Sequence, residues 1–191
     1  TLSRYLDGIM IRTYDHQDVL DLAKYASIPV INGLTDLLHP CQIMGDLLTI
    51  LERKGQLQGL KLAFIGDGNN VAHSLLIGGG KVGMDVVIAC PMGYEPNPAI
   101  YQQASAIAEA TGARLQVVHD PREAVVGADV VYTDVWASMG QEKEREKRIQ
   151  DFTGYCVDAQ LLKLAKPEAI VMHCLPAHRG EEITDEVMDG P

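Results

Sequence analysis

The sequence predicts an α/β protein, a doubly wound parallel sheet preceded by the C-terminal part of a second α/β lobe. Three observations predict it. From Leu60 onward five short apolar runs alternate with stretches of helical spacing, as in a parallel sheet covered by helices on both faces. Helix boundaries carry conventional signals, such as Asn97-Pro98 at a start and Arg53-Lys54-Gly55 at a stop. Arg12, Asp67, Asp134 and Cys174 each fall just beyond an apolar run, and open α/β sheets bind ligands outside the carboxyl ends of their strands.

The elements follow in order. Residues 8–13 read as a short buried strand. Residues 17–26 place Val19, Leu20, Leu22, Ala23 and Ala26 close to helical spacing. Residues 28–33 form a second strand that opens with proline, a permitted position. This strand–helix–strand unit predicts parallel pairing. Pro40 then sits early in a long helix carrying Ile43, Leu47, Leu48 and Leu51, which connects the two lobes and divides the chain into residues 1–55 and 56–191. In the second lobe, strands are expected at residues 60–65, 85–89, 114–118, 129–133 and 169–173. Helices are expected from about Val71 and over residues 97–111, 121–127 and 159–165. Residues 141–150 are polar and charged throughout and read mostly as a solvated helix face. Both ends read as cut points, so a piece of a longer protein is expected.

With 191 residues the chain can bury a sizeable core, and its 47% hydrophobic and 22% charged residues are ordinary for a globular protein. A net charge of −10 argues against a non-specific nucleic-acid binder or a binder of acidic membranes. The four cysteines are scattered without a CxxC pair, which argues against a zinc ribbon or a thioredoxin-like site. No signal peptide or bilayer-length apolar run is present, so a cytoplasmic setting is expected; an organellar form with its targeting segment removed would look the same.

Several stretches carry chemistry. Gly66-Asp67-Gly68-Asn69-Asn70 begins like a dinucleotide fingerprint, but Val71 stands where the third glycine is needed. A tight turn with glycine at φ > 0 explains it structurally; a small-molecule site using the amides of Asn69 or Asn70 explains it functionally, and the second is preferred. His39 lies at a predicted helix start, where unpaired N–H groups favour anions; a simple cap accounts for it too. Arg12 is either a structural partner of Asp15 or Asp36, or a fork-shaped donor to a phosphate or carbonyl oxygen. Asp134, followed by the only tryptophan, Trp136, and by Ser138 and Gly140, is either a helix cap or an acid holding a cationic amine beneath a loop that can move. His173 and Cys174 adjoin on a strand and point to opposite faces, so a ligand contact suits Cys174 better than a nucleophile does. The remaining histidines show no metal-ligand spacing.

Five stretches together resemble the aspartate/ornithine carbamoyltransferase family, and within it the ornithine enzymes. They are Met10-Ile11-Arg12-Thr13, His39-Pro40-Cys41-Gln42, residues 66–74, residues 134–140 and His173-Cys174-Leu175-Pro176, in the family's order and spacing. The resemblance implies one lobe for carbamoyl phosphate and one for L-ornithine, in a homotrimer or multiple of it, with no metal and no cofactor. It implies carbamoyl phosphate contacts from Arg12, His39, Pro40, Cys41, Gln42, Cys174 and Leu175. It implies ornithine contacts from Asn70, Asp134, Ser138 and Met139, and catalytic roles for Asp134, Cys174, His39 and Arg12. Asp134 would align the amine, and Cys174 as thiolate would take its proton. The family's Ser-x-Arg-Thr motif and a Glu-Asn-Arg segment fall outside this sequence. The rivals are an aspartate or other amino-acid carbamoyltransferase, an NAD-dependent oxidoreductase, and a non-catalytic ligand-binding or assembly unit. An acceptor with a second carboxylate should need extra cations in the second lobe.

Overall fold

The structure is a computed structural model that describes residues 1–137 and 142–190. After a 3-10 turn at Leu2–Arg4, strand β1 (Ile9–Arg12) pairs in parallel with β2 (Val30–Leu34) through helix α1 (His16–Tyr25). The Asp15 carboxylate starts α1 by accepting from the Gln17 N–H at 2.8 Å. The expectation of a buried first strand is corrected: β1 alternates between partly buried and exposed residues, leaving Met10 67% and Ile31 of β2 51% exposed. Helices α1 and α2 pack against this two-stranded sheet, and its Met10 and Ile31 side is uncovered among the described residues.

Helix α2 (Pro40–Lys54) starts on proline and stops at Gly55, whose φ of 75° and N–H bond to the Leu51 carbonyl form a left-handed cap. One face of α2 packs on β2. Another sends Ile43, Leu47 and Ile50 into the core of the second lobe, so the helix belongs to both.

The second lobe runs β3 (Lys61–Ile65), α3 (Asn70–Val82), β4 (Asp85–Ala89), α4 (Pro98–Glu109), β5 (Leu115–Val118), α5 (Pro121–Val125) and β6 (Val130–Thr133). A 3-10 turn at Glu142–Glu144 leads into α6 (Arg145–Asp151), then α7 (Ala159–Leu162), β7 (Ile170–His173) and α8 (Asp185–Met188). The final four-residue helix is not foreseen from sequence, because one turn shows no periodicity. All strand pairs are parallel, in the order β5-β4-β3-β6-β7. The pleat splits the core. Leu62, Phe64, Val86, Ile88 and Tyr132 face α2, α3 and α4, while Ala63, Ile65, Val87 and Val131 face Ala124, Trp136 and Phe152. No described helix is long and apolar enough to cross a membrane.

From β3 the chain builds outward through β4 and β5, then crosses to β6 and β7 on the other side. The order therefore reverses between β3 and β6, whose carboxyl ends define the crevice of an open α/β sheet. Gly66 and Asp134 flank it. Only Gly66 of the two turn glycines needs positive φ, at 152°. Gly68 is required by close approach instead: an added Cβ would meet the Pro96 nitrogen at 2.3 Å, the Glu95 carbonyl carbon at 2.5 Å and the Tyr94 oxygen at 2.6 Å. These are backbone atoms and cannot rotate away. Gly68→Ala is expected to cost about 1–3 kcal/mol in chemical denaturation.

Candidate functional site

A cleft of about 1160 Å³ lies between the lobes at the strand ends. One wall carries Arg12 from the end of β1, with His39 and Gln42 at the start of α2. The facing wall carries the turn between β3 and α3, Asp134 after β6, and Cys174 and Leu175 after β7.

Polar ties hold the walls in register. The His39 N–H donates to Ser74 Oγ at 2.8 Å, and Asn70 Nδ2 donates to the Thr35 carbonyl at 2.7 Å. His73, buried on α3, bonds through Nδ1 to the Leu37 carbonyl at 2.9 Å while its Nε2 accepts from the Asn97 N–H at 2.8 Å. An accepting Nε2 places the proton on Nδ1, so the ring is neutral as held. Burial lowers the His73 pKa below its ordinary 6.5, with the Leu37 bond opposing. The unfolded chain then binds more protons than the folded one between 6.5 and the lower folded value. Stability is full above pH 6.5 and lost as pH falls through that window. Denaturation midpoints should drop over that range, and His73→Gln should flatten the drop.

Asp134 is the hub of the second wall. It is buried, and its Oδ2 accepts from Asn69 Nδ2 at 2.8 Å. Its Oδ1 accepts from its neighbour Val135 N–H at 2.8 Å and from the Cys174 thiol at 3.0 Å. The Asn69 amide is fixed because its oxygen caps α3, accepting from the N–H groups of Val71 and Ala72 at 3.0 and 3.2 Å. Of the two turn asparagines, Asn69 therefore meets Asp134, and Asn70 reaches across to the first lobe.

The expectation of a Cys174 thiolate is corrected. Burial, then the Asp134 charge and the bond to it, push the thiol well above the ordinary cysteine range. Cys174 stands as a neutral donor to Asp134. Leu175 beside it adopts φ 61° and lines the cleft.

On the first wall, Arg12 forms no ion pair among the described residues. Its expected partners are engaged elsewhere, Asp15 as the cap of α1 and Asp36 as acceptor for the His16 N–H at 3.2 Å. Burial first and then the Arg12 charge lower the His39 pKa, against Asp134 and the Gly33 backbone, so the imidazole is favoured neutral. Its Nδ1 is buried without a partner among the described residues. Gln42 lines the cleft and donates to Asp46 at 3.0 Å, which in turn accepts from the Tyr132 hydroxyl at 2.9 Å. Pro40 and Cys41 do not line it; Cys41 is exposed and its thiol faces the Asn32 carbonyl at 3.2 Å. Successive helical residues turn by about 100°, which sends Cys41 toward β2 and Gln42 toward the second lobe. Ser138 and Met139, with the glycine that follows, lie outside the described residues.

One buried charge that lines the cleft is missed by sequence reasoning. Arg148, inside the run read as a solvated face, is buried and donates to Asp67 at 2.7 Å and to the Trp136 carbonyl at 2.8 Å, beneath the Tyr94 ring. Side-chain exposures are 7% for Arg148 and 9% for Asp67. No spacing in sequence marks it, since its partner lies on a distant turn. Metal-ligating atoms approach within 4.8 Å in Asp134, His173 and Cys174, and again in His178, Glu181 and Glu182. In the first group the thiol already donates to Asp134, and in the second Glu181 is already paired with Arg145.

Two α/β lobes face each other across a polar cleft, with cationic and imidazole donors on one wall and a carboxylate on the other. The chain belongs to the aspartate/ornithine carbamoyltransferase family. The family's Asp/Orn-binding domain matches residues 58–191 and its carbamoyl-P-binding domain residues 1–52. An ornithine carbamoyltransferase of Symbiobacterium thermophilum is 63% identical over 190 residues, covering 100% of this chain and 61% of that protein. One from Thermococcus kodakarensis is 60% identical, covering 100% and 60%. The solved ornithine carbamoyltransferase of Pyrococcus furiosus superposes with a TM-score of 0.95 at 57% identity, covering 100% of this chain and 61% of that one. The chain thus spans about 60% of the length of these relatives.

Proposed function

We propose that this chain forms most of the acceptor site and part of the donor site of an enzyme that transfers a carbamoyl group from carbamoyl phosphate to the side-chain amine of L-ornithine, giving L-citrulline and phosphate. The observation that carries the reading is the placement of the Asp134 carboxylate, fixed by Asn69 and Cys174, across one cleft from Arg12 and His39. The names of the relatives support it.

In this reading Arg12 and His39 bind carbamoyl phosphate and polarise its carbonyl oxygen. The neutral imidazole donates without adding charge, and the guanidinium opposes the negative charge of the tetrahedral intermediate. Asp134 receives an N–H of the acceptor amine in place of the Cys174 thiol and aligns the nitrogen lone pair on the carbamoyl carbon. Much of the acceleration comes from holding the two substrates together. The amine attacks in its neutral form; as the intermediate collapses phosphate leaves, and the proton shed by the attacking nitrogen passes to the departing phosphate. Cys174 contacts the amine and the carbamoyl group without becoming a nucleophile.

An amine acceptor is favoured over aspartate by the state of the second wall's cations. Among the described residues, Lys147 pairs with Asp151 at 2.5 Å and Arg148 with Asp67, so neither is left for a second carboxylate. Trimeric assembly and a cytoplasmic setting, or an organellar one with the targeting segment removed, complete the reading; the assembly rests on the resemblance. Calorimetry of the intact enzyme with carbamoyl phosphate, followed by ornithine, tests it. Saturable binding of both is expected; binding of neither removes it in favour of an assembly role.

A further inference from the structure

Helical spacing puts residue 46 on the stripe of α2 that carries Ile43, Leu47 and Ile50 into the core of the second lobe. An apolar side chain suits that stripe, yet the residue is Asp46, 5% exposed. A carboxylate in such a place is costly unless donors meet it. Two do, one at each oxygen. Gln42, one turn earlier on α2, donates from Nε2 to Oδ1 at 3.0 Å, and the Tyr132 hydroxyl of β6 donates to Oδ2 at 2.9 Å. Burial raises the Asp46 pKa above its ordinary 3.8, and both bonds oppose the rise, because they favour the charged form.

The far end of this chain is rigid. Tyr132 is fully buried, and its ring stacks on Phe64 with centroids 6.0 Å apart. The near end is Gln42, the one member of the three that lines the cleft. A carboxylate only accepts, so it takes the NH2 side of the Gln42 amide and leaves the amide oxygen on the opposite edge. That oxygen takes no bond among the described residues. A carbamoyl group has two ends to recognise. Its carbonyl oxygen needs donors, which Arg12 and His39 supply from the same wall, and its amino group needs an acceptor.

We propose that Asp46 and Tyr132 are positioning residues of the donor site: together they lock the Gln42 amide so that it shows the cleft an oxygen, and that oxygen selects an acyl phosphate bearing an amino group over one of the same shape bearing a methyl group. The inference deepens the carbamoyl-transfer reading and rests on it. Acetyl phosphate is the discriminating probe, since a methyl group stands in place of the amino group and the rest of the molecule is kept.

The test measures calorimetric affinities of the intact enzyme for carbamoyl phosphate and for acetyl phosphate. It compares wild type, Asp46→Leu, Tyr132→Phe, Gln42→Ala and the double variant Asp46→Leu with Gln42→Ala. Wild type is expected to prefer carbamoyl phosphate about 10–100-fold, because a methyl group leaves the Gln42 oxygen desolvated and unpaired. Asp46→Leu frees the amide to turn and narrows the preference about tenfold, through weaker carbamoyl phosphate binding with acetyl phosphate binding nearly unchanged. Loss of packing alone would weaken both alike. Tyr132→Phe leaves one carboxylate oxygen unpaired and narrows the preference about threefold. Gln42→Ala narrows it as far as Asp46→Leu does, and the double variant no further, because Asp46 acts through Gln42. If Asp46→Leu fails to fold, Tyr132→Phe with and without Gln42→Ala carries the same comparison. Equal weakening of the two ligands in Asp46→Leu or Tyr132→Phe, or a further narrowing in the double variant, overturns the proposal. Equal binding of both phosphates by wild type overturns it too, and leaves the transfer reading to stand on ornithine turnover. If wild type binds neither, the transfer reading falls and the proposal with it.

Discussion

Asp134→Asn is expected to lower kcat/KM for ornithine by about 10²–10³ while leaving the fold intact. Asparagine has the same shape and keeps an oxygen that can accept from Asn69 or from Val135 N–H. It loses the charge that aligns a developing cationic nitrogen. Carbamoyl phosphate affinity should change little, because Arg12 and His39 stand on the other wall. A second consequence separates this from general damage. The Asp134 charge is one cause of the raised Cys174 pKa, so the thiol should titrate lower in the variant and alkylate faster at a fixed alkaline pH. Steady-state citrulline formation and alkylation rates check both. Unchanged turnover and ornithine affinity would remove Asp134 from its assigned role.

Arg148→Leu is expected to destabilise the protein by about 3–5 kcal/mol at neutral pH, because it strands a buried carboxylate. Burial already raises the Asp67 pKa above its ordinary 3.8, and the Arg148 charge is the main opposing influence. Removing Arg148 sends the folded pKa higher. A carboxyl raised in the folded state favours folding when protonated and loses that contribution as pH rises through its folded value. The deficit of the variant should therefore shrink as pH falls toward 4 and be largest at neutral pH. Asp67→Asn in the same chain should recover much of the loss. Denaturant unfolding at several pH values reads all three, and an equal deficit at every pH would contradict the account. The effect should reach the cleft as well, since Arg148 also holds the Trp136 carbonyl two positions after Asp134.

The frame of the second lobe was legible because its signals are local. Asn97 and Pro98 start α4 as expected, with the Asn97 oxygen accepting from the N–H groups of Ala99 and Ile100. Arg53-Lys54-Gly55 ends α2 as expected. The strand ends that carry Arg12, Asp134 and Cys174 were legible for the same reason, since an apolar run followed by a polar residue marks an edge of the sheet. What depends on distant partners was not. A buried arginine and a solvated one look alike within Gln141-Glu142-Lys143-Glu144-Arg145-Glu146-Lys147-Arg148, and only the fold reveals that Arg148 meets Asp67. Glu182 likewise resembles its less buried acidic neighbours until His173 is seen against it. The burial of β1 was misjudged because apolar content reports a preference for being covered, and coverage depends on what packs alongside. The thiolate expected of Cys174 failed for a physical reason, as a thiol beside a carboxylate away from water keeps its proton.

The most direct measurement of the central claim is product formation by the intact enzyme from carbamoyl phosphate with ornithine or aspartate as acceptor. The account predicts citrulline and phosphate in equal amounts with ornithine, little product with aspartate, and loss of citrulline in Asp134→Asn. Carbamoyl transfer to aspartate in preference to ornithine, or full citrulline formation without the Asp134 carboxylate, would contradict it.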